Sequence, residues 1–257
     1  FEGLSILSLL IQKKRIPARV LSQTAITFVA FVILFMAPGN EMRVASEITT
    51  WMPGYKELSV GKHLFMTIQW MLSSFANEGK AFFIAIWAAG FLLLIKSKKA
   101  KVYQILAIVF SVAAILPYAG ITFFSEMGIG DIDIEQCLTE LPTWQSMTTQ
   151  NRIAFFWWIA AVLFTLVLLW KVTGHSVFIS MVFLGGIASE AVLYFSPTIY
   201  ASGARVYYLT DLMYLFIILW MVMRMDSEKK KNLFIAGTAA LGVINFLSQY
   251  SIMLLKL

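Results

Sequence analysis

The chain has 257 residues, of which 60% are hydrophobic and 13% are charged. Charged residues make up about a quarter of an ordinary soluble domain, so this composition excludes one. The net charge of +6 is explained by a basic rim that faces anionic lipid, and nucleic acid is not implied as a partner.

Seven long apolar stretches follow a short apolar stub at residues 1–11. Each approaches or exceeds the roughly 20 residues needed to cross a hydrocarbon core ~30 Å thick. Because lipid cannot hydrogen-bond an open backbone, spans of this length must be helices. The sequence therefore predicts an all-α fold: a polytopic transmembrane helix bundle of about seven spans plus the N-terminal helix stub. The stretches cover residues 20–37, 81–95, 102–124, 153–170, 176–195, 207–223 and 233–255.

The stub is too short to cross a membrane, and it ends just before the basic residue Lys13. It lacks the three regions of a signal peptide, so it is interpreted as the tail of a preceding helix. We therefore expect residues 1–257 to form a single transmembrane domain that is the C-terminal part of a larger one.

The connections between the stretches alternate in charge. Thirteen of the 20 basic residues lie in alternate connections, which share one side if each stretch crosses once. By the positive-inside rule, that side is cytoplasmic. The thirteen are Lys13, Lys14, Arg15, Arg19, Lys96, Lys98, Lys99, Lys101, Lys171, Arg224, Lys229, Lys230 and Lys231.

Two connections on the opposite side are long, at residues 38–80 and 125–152. Loops beyond about 12–15 residues are usually functional or disordered. The tryptophans Trp51, Trp70 and Trp144 in these loops argue against disorder. The working face of the protein is therefore expected outside.

The first long loop contains a further helical pattern. Apolar residues recur at nearly helical period over residues 58–76, with Lys62 and Gln69 among the polar positions. This pattern predicts a short amphipathic helix that lies on the outer interface and flanks a lipid entrance.

The first candidate site lies where the first span emerges, in the run Ala-Pro-Gly-Asn-Glu at residues 37–41. Proline ends the helix and glycine permits a tight turn. The turn would hold Asn40, Glu41 and Arg43 just above the membrane surface. Two interpretations stay open: a helix stop with snorkelling charges, or a binding turn.

The second candidate site is the outer turn at residues 196–205, between the fifth and sixth stretches. Glu190 and Asp211 flank it, each about five residues or ~8 Å inside an apolar helix. Ionisable groups at that depth mark a site or an ion pair. Arg205 is their natural partner, either in a structural salt bridge or as a fork held by carboxylates to meet a phosphate.

Metal and thiol chemistry have little support in the sequence. Asp131 and Asp133 have the spacing of a metal-binding pair, but an acidic loop produces it by chance; a divalent metal stays open and no cofactor is predicted. Cys137 is the one cysteine, which excludes an internal disulfide and a cysteine-rich zinc site. His63 and His175 fall on opposite sides, so they cannot share a site.

Two turns together resemble a known group of proteins: the Ala-Pro-Gly-Asn turn with Arg43 close behind it, and the Ser-Pro turn with Arg205 downstream. The group consists of families of bacterial multi-span membrane proteins with uncharacterised domains, which are akin to GT-C glycosyltransferases. The resemblance covers residues 20–224. It implies an enzyme of the bacterial plasma membrane that takes a sugar from a polyprenyl-phosphate carrier. The acceptor would be a cell-surface glycan or a teichoic-acid-like polymer on the extracytoplasmic face.

The resemblance also implies roles for individual residues. The catalytic Asp or Glu of GT-C enzymes usually lies in a first outer loop near the N-terminus, so it is expected upstream of this chain. Arg205, Arg43, Asn40 and Tyr200 would bind the substrate and its phosphate. The supporting carboxylates would be Glu190, Asp211 and Glu41. A transporter or flippase, or a non-catalytic lipid-binding or scaffold protein of the membrane, is the alternative.

Overall fold

The computed structural model describes residues 17–35, 40–52, 54–119, 143–174, 176–198 and 207–255. All regular elements in these ranges are helical, so the all-α prediction is confirmed for this part of the chain. The α-helices are α1 (Ala18–Phe35), α2 (Asn40–Trp51), α3 (Val60–Asn77), α4 (Lys80–Leu94), α5 (Lys101–Ile115), α6 (Thr149–Val172), α7 (Val177–Ala191), α8 (Tyr208–Met223) and α9 (Glu228–Leu255). Short 3-10 turns occupy Tyr55–Glu57, Lys98–Ala100, Leu116–Ala119 and Val192–Phe195.

Polar caps define several helix ends. The Ser59 hydroxyl accepts a hydrogen bond from the Lys62 amide (3.3 Å) at the start of α3, and the Thr148 hydroxyl accepts one from the Asn151 amide (3.1 Å) at the start of α6. Such caps satisfy amides that the first helical turn leaves open. Gly174, with φ +64°, follows the end of α6 in the left-handed conformation that glycine adopts without strain.

The number of spans is not settled by helix length. Among the described residues, α6 alone is a single helix long and apolar enough to cross a membrane, with a mean hydropathy of 2.4. Helices α3 and α4 meet the same test only as a pair, bent by 68° at the break between them. This is weak evidence for a membrane helix. The seven-span bundle is therefore not confirmed and stays a prediction.

The position predicted for residues 58–76 needs correction. A helix is present there, as α3, but its C-terminal half is buried in the bundle instead of lying on a surface. From Met66 to Ala76 every residue except Ile68 is buried, and the helix packs against α6 and α7. One reason is that Ser74 on this half of the helix meets Glu190 of α7, with 2.6 Å between the two oxygens, whereas an interfacial helix turns its polar side chains to water.

Helix α4 is the centre of the core and contacts α3, α5, α6, α8 and α9. Its Phe83 and Trp87 are fully buried. The Trp87 Nε1 donates a hydrogen bond to the Thr165 hydroxyl (2.8 Å), which satisfies the indole. Gly90 lets α6 approach closely, because a Cβ there would lie 2.7 Å from Leu168 Cδ2.

The outside of the bundle is apolar as well as the inside. On α8, buried Met213, Tyr214 and Ile217 face the core, and a second row of apolar residues faces outward. A helix that is apolar on both faces suits a hydrocarbon environment, since monomeric soluble proteins rarely expose a contiguous apolar stripe. The exposed row comprises Leu209, Leu212, Leu215, Phe216, Leu219 and Met223.

An ion-pair cluster joins two basic connections at one end of the bundle. Asp226, before α9, pairs with Lys96 after α4 (3.1 Å) and with Lys230 in α9 (2.8 Å). Hydrogen bonds from Lys230 and Lys96 hold the pKa of Asp226 at about 2. Because Lys96 follows the end of α4, this basic end lies opposite Glu78, which precedes α4.

Candidate functional site

Three carboxylates converge at the end of the bundle opposite the Lys96 cluster. Glu78 lies in the two-residue link between α3 and α4, Glu190 in the last turn of α7, and Asp211 in the first turn of α8. Glu78 is exposed, Asp211 is half-buried and Glu190 is 1% exposed. The charges of Glu78 and Asp211 both act on Glu190. The three therefore form a series from the surface to the interior, which we call the carboxylate cluster.

Hydroxyl groups from the two neighbouring helices hold Glu190. The Ser74 hydroxyl of α3 lies 2.6 Å from Glu190 Oε2, as a hydrogen-bond donor. Thr210 of α8 places a second hydroxyl close to the Glu190 carboxylate. Among the described residues, Glu190 forms an ion pair with neither Lys nor Arg. A buried carboxylate thus ties α3, α7 and α8 together through neutral groups.

The network extends to the backbone of α7. The Thr210 hydroxyl lies 3.0 Å from the Gly186 carbonyl oxygen, and the Ser189 hydroxyl lies 2.7 Å from the same oxygen. The two hydroxyls are 2.9 Å apart, and either can donate to the other. These contacts add three oxygen atoms, from Gly186, Ser189 and Thr210, to the network.

Tyr214 forms the inner wall of the network. It is fully buried, and its ring stacks on Phe183 with centroids 5.4 Å apart. A Cβ on Gly186 would lie 2.8 Å from Tyr214 Cε1 and 3.4 Å from Cζ. The absence of a side chain at Gly186 therefore lets the phenol reach the backbone of α7. Within the described part of the chain, the Tyr214 hydroxyl has no hydrogen-bond partner.

Glu78, the surface member of the carboxylate cluster, has a raised pKa. Partial burial of its carboxyl group raises the pKa of Glu78, and the Asp211 charge raises it further, while a hydrogen bond from its own backbone amide opposes both. Glu78 is thus a better proton acceptor than an isolated glutamate at the same pH.

A second, smaller apolar cluster covers one side of this site. Its buried members are Met52, Met66, Trp70, Met71 and Tyr207. The link between α2 and α3 packs over it, because Gly54 turns the chain with φ +86° and the Tyr55 hydroxyl donates to the Tyr194 carbonyl oxygen (3.0 Å). This link shields the α7 side of the site from solvent.

His63 belongs to this cover. Its Nε2 lies 3.1 Å from the Tyr55 carbonyl oxygen, and its ring packs on Tyr55 and Tyr194 with centroids 4.6 and 5.4 Å apart. Burial raises the pKa of the Tyr55 phenol, and the charge of Tyr194 adds to that shift. His63 therefore stabilises the link by packing.

The structure brings together two of the predicted carboxylates, Glu190 and Asp211. Tyr200 and Arg205 lie outside the described residues, so the ion pair predicted for Arg205 stays a prediction. Asn40 begins α2, and Glu41 and Arg43 follow in its first turns. The side chains of these three lie outside the described part.

Asp131, Asp133, Cys137 and His175 lie outside the described residues. Within the described ranges, no group of three or more His, Cys, Asp or Glu residues has the geometry of a metal site.

Sequence reasoning did not single out Glu78, Ser74 or Tyr214. The available signal for Glu78 was an acid followed by glycine between two apolar runs, at residues 58–76 and 81–95. Ser74 had no signal of its own, because its partner Glu190 is 116 positions away.

Searches of protein families, of curated proteins and of solved structures returned no match to this chain.

Proposed function

We propose that this chain is a membrane glycosyltransferase of the bacterial plasma membrane. In this proposal, it moves a sugar from a polyprenyl-phosphate carrier to a cell-surface glycan or teichoic-acid-like acceptor on the extracytoplasmic face. The observation that carries the proposal is the carboxylate cluster of Glu78, Asp211 and Glu190, at one end of an apolar bundle. The same end leads into the chain segment with Tyr200 and Arg205, because that segment joins α7 to α8.

Sugar transfer from a lipid phosphate needs two kinds of group. Cations stabilise the charge that develops on the departing phosphate, and Arg205 and Arg43 are suited to this by their bidentate forks. Asn40 and Tyr200 border the same head group in this proposal, and Glu41 supports Arg43. Asp131 and Asp133 leave a role for a divalent metal open.

A carboxylate must also accept the proton of the acceptor hydroxyl. The catalytic carboxylate is expected upstream of this chain, as the resemblance implies. Glu78 then acts as a binding residue that accepts a hydrogen bond from the acceptor. Its exposure and raised pKa support that assignment.

Room for a lipid tail supports the proposal independently. An apolar cleft of about 390 Å³ lies between α4, α5 and α9. The small residues Ala85, Ala88 and Gly237 line it. Clefts of a few hundred cubic ångströms are typical of sites for small ligands.

The proposal is tested with Arg205→Ala, by following radiolabelled sugar from a polyprenyl-phosphate donor into polymer in membranes. We expect transfer to fall by about 100-fold or more, because a charge-stabilising donor to the phosphate is lost. Arg152→Ala is the matched control. Its guanidinium donates to the Gln145 carbonyl oxygen (3.1 Å) and lies over Trp144, 5.4 Å from the ring centroid.

Transfer at the wild-type rate in a correctly inserted Arg205→Ala protein would contradict the phosphate role. Loss of folding or insertion in that variant would instead support a structural ion pair. Arg205→Lys then separates the two, because it keeps the charge and loses the fork.

One observation favours the alternative of a transporter or flippase. The break between α3 and α4, bent by 68°, lies next to the carboxylate cluster. Interrupted helices with polar groups at the break are typical of transporters. Lipid translocation in proteoliposomes without sugar transfer would select this alternative.

A further inference from the structure

Two of the hydroxyls beside Glu190 each face more than one oxygen atom. Each hydroxyl can donate one proton. Yet the Ser74 hydroxyl is within hydrogen-bonding distance of two acceptors, Glu190 Oε2 (2.6 Å) and the Met71 carbonyl oxygen (2.9 Å). Thr210 likewise faces Glu190, the Gly186 carbonyl oxygen and Ser189. A hydroxyl that donates to one of these oxygens leaves its own lone pairs open to a further positive group.

Among the described residues, no lysine or arginine forms an ion pair with Glu190, and the buried Lys80 at the start of α4 has contacts of its own. Glu190 is 1% exposed, and its described neighbours are hydroxyls and the further acids Glu78 and Asp211. A buried carboxylate is stable only with a counter-charge or a proton. The site therefore suits a positive charge.

Tyr214 supplies a second, independent observation. Its hydroxyl is buried and has no hydrogen-bond partner within the described part of the chain. Its ring edge lies against Gly186, the residue whose carbonyl already belongs to the network. Buried hydroxyls are normally bonded, so this one points to a ligand beside Gly186 and Glu190.

We infer that Ser74, Gly186, Glu190, Thr210 and Tyr214 form a binding site for a small monovalent cation, with Na⁺ as the probe. One carboxylate, hydroxyls and a backbone carbonyl are hard oxygen ligands of the kind that such cations take. A single positive charge neutralises Glu190. A divalent ion does not fit as well, because the other two carboxylates lie further toward the surface.

The cluster also provides the approach to this site. Half-buried Asp211 and exposed Glu78 lead from the surface to Glu190. Carboxylates along such a path raise the local concentration of cations. The inference does not depend on sugar transfer, and it holds for an enzyme or a transporter.

The test is thermal unfolding of the purified full chain in detergent, in NaCl or choline chloride at the same ionic strength. At about 200 mM salt, we expect Na⁺ to raise the Tm by about 3 °C or more, because a ligand of the folded state stabilises it. Glu190→Gln should abolish the difference, and Thr210→Val should reduce it. The control Glu57→Gln removes an exposed carboxylate of the α2–α3 link. This variant should show the same Tm difference between the two salts as the wild type.

An equal Tm for the wild type in both salts would overturn the inference, and so would an undiminished Na⁺ effect in Glu190→Gln. If Glu190→Gln does not fold, binding of ²²Na⁺ to the wild type and to Ser74→Ala decides the question. About one Na⁺ per chain, weakened in Ser74→Ala, supports the site, and no binding excludes it. A wild type insensitive to Na⁺ that becomes sensitive in Arg205→Ala would assign the counter-charge to Arg205.

Discussion

Gly186 shows how much a single residue contributes to the site. It is positioned so that the Tyr214 ring, the Thr210 hydroxyl and the Ser189 hydroxyl all meet the backbone of α7. A larger residue would separate α7 from α8 and displace Tyr214 from the network. The glycine is thus required by packing, since its backbone conformation is an ordinary helix.

Gly186→Ala should therefore destabilise the protein by about 1–3 kcal/mol, because the new Cβ would lie 2.8 Å from Tyr214 Cε1. The measurement is thermal or denaturant unfolding in detergent. Gly242→Ala is the matched control, since a Cβ at that helical position has nothing within 4 Å. It should leave stability unchanged or raise it by about 0.5–1 kcal/mol. An equal effect of both substitutions would exclude close packing at Gly186 as the cause.

The predictability of the site also differs from residue to residue. Glu190 and Asp211 could be predicted because a charge within an apolar helix is costly anywhere it occurs. Tyr214 could not, because a tyrosine in an apolar stretch is usually an anchor or a core residue. Its relation to Glu190 depends on which faces of α7 and α8 meet.

At the scale of elements, the sequence predicts helices well and their neighbours poorly. Each long apolar stretch is helical in its described part, since its length and composition leave few other structures. For α3, however, the same polar pattern fits two arrangements. The polar face of the helix can point toward water, or it can point toward polar groups of another helix. The buried Ser74–Glu190 contact (2.6 Å) selects the second arrangement, and no periodicity encodes it.

The Asp226 cluster connects elements that are distant in sequence, because Lys96 and Asp226 are 130 positions apart. Asp226→Asn should lower the Tm at neutral pH. A carboxyl with a lowered pKa stabilises the fold above its unfolded pKa, about 4, and that contribution is lost as the pH falls through its folded pKa of about 2. The difference in Tm between Asp226→Asn and the wild type should therefore shrink as the pH falls from about 4 to about 2.

Glu228→Gln is the control for this experiment. Its carboxylate pairs with Lys231 three residues away in the same helix (2.7 Å), so it joins no separate elements. A single exposed pair within one helix contributes little, whereas Asp226, although also exposed, pairs with Lys96 and Lys230 at once. If Glu228→Gln lowered the Tm as much as Asp226→Asn does, the link between the two connections would have no special role.

At the scale of the whole molecule, the charges are separated along the bundle. The Lys96–Asp226–Lys230 cluster and the carboxylate cluster lie at opposite ends of α4. We expect this polarity to suit the two ends to different partners: anionic lipid head groups at the basic end, and cations or hydroxyl-bearing ligands at the acidic end. Both the proposed sugar transfer and the proposed cation site belong to the acidic end.

The orientation of this polarity can be measured by labelling single cysteines in a Cys137→Ser background, which removes the one native cysteine. Glu57→Cys reports the acidic end and Lys99→Cys the basic end, and both positions are exposed. A membrane-impermeant thiol reagent should label Glu57→Cys in intact cells, and Lys99→Cys only after permeabilisation, because positive loops stay in the cytoplasm. The reverse pattern would place the carboxylate cluster inside and contradict transfer on the outer face. Equal labelling of both in intact cells would contradict the membrane-spanning arrangement itself.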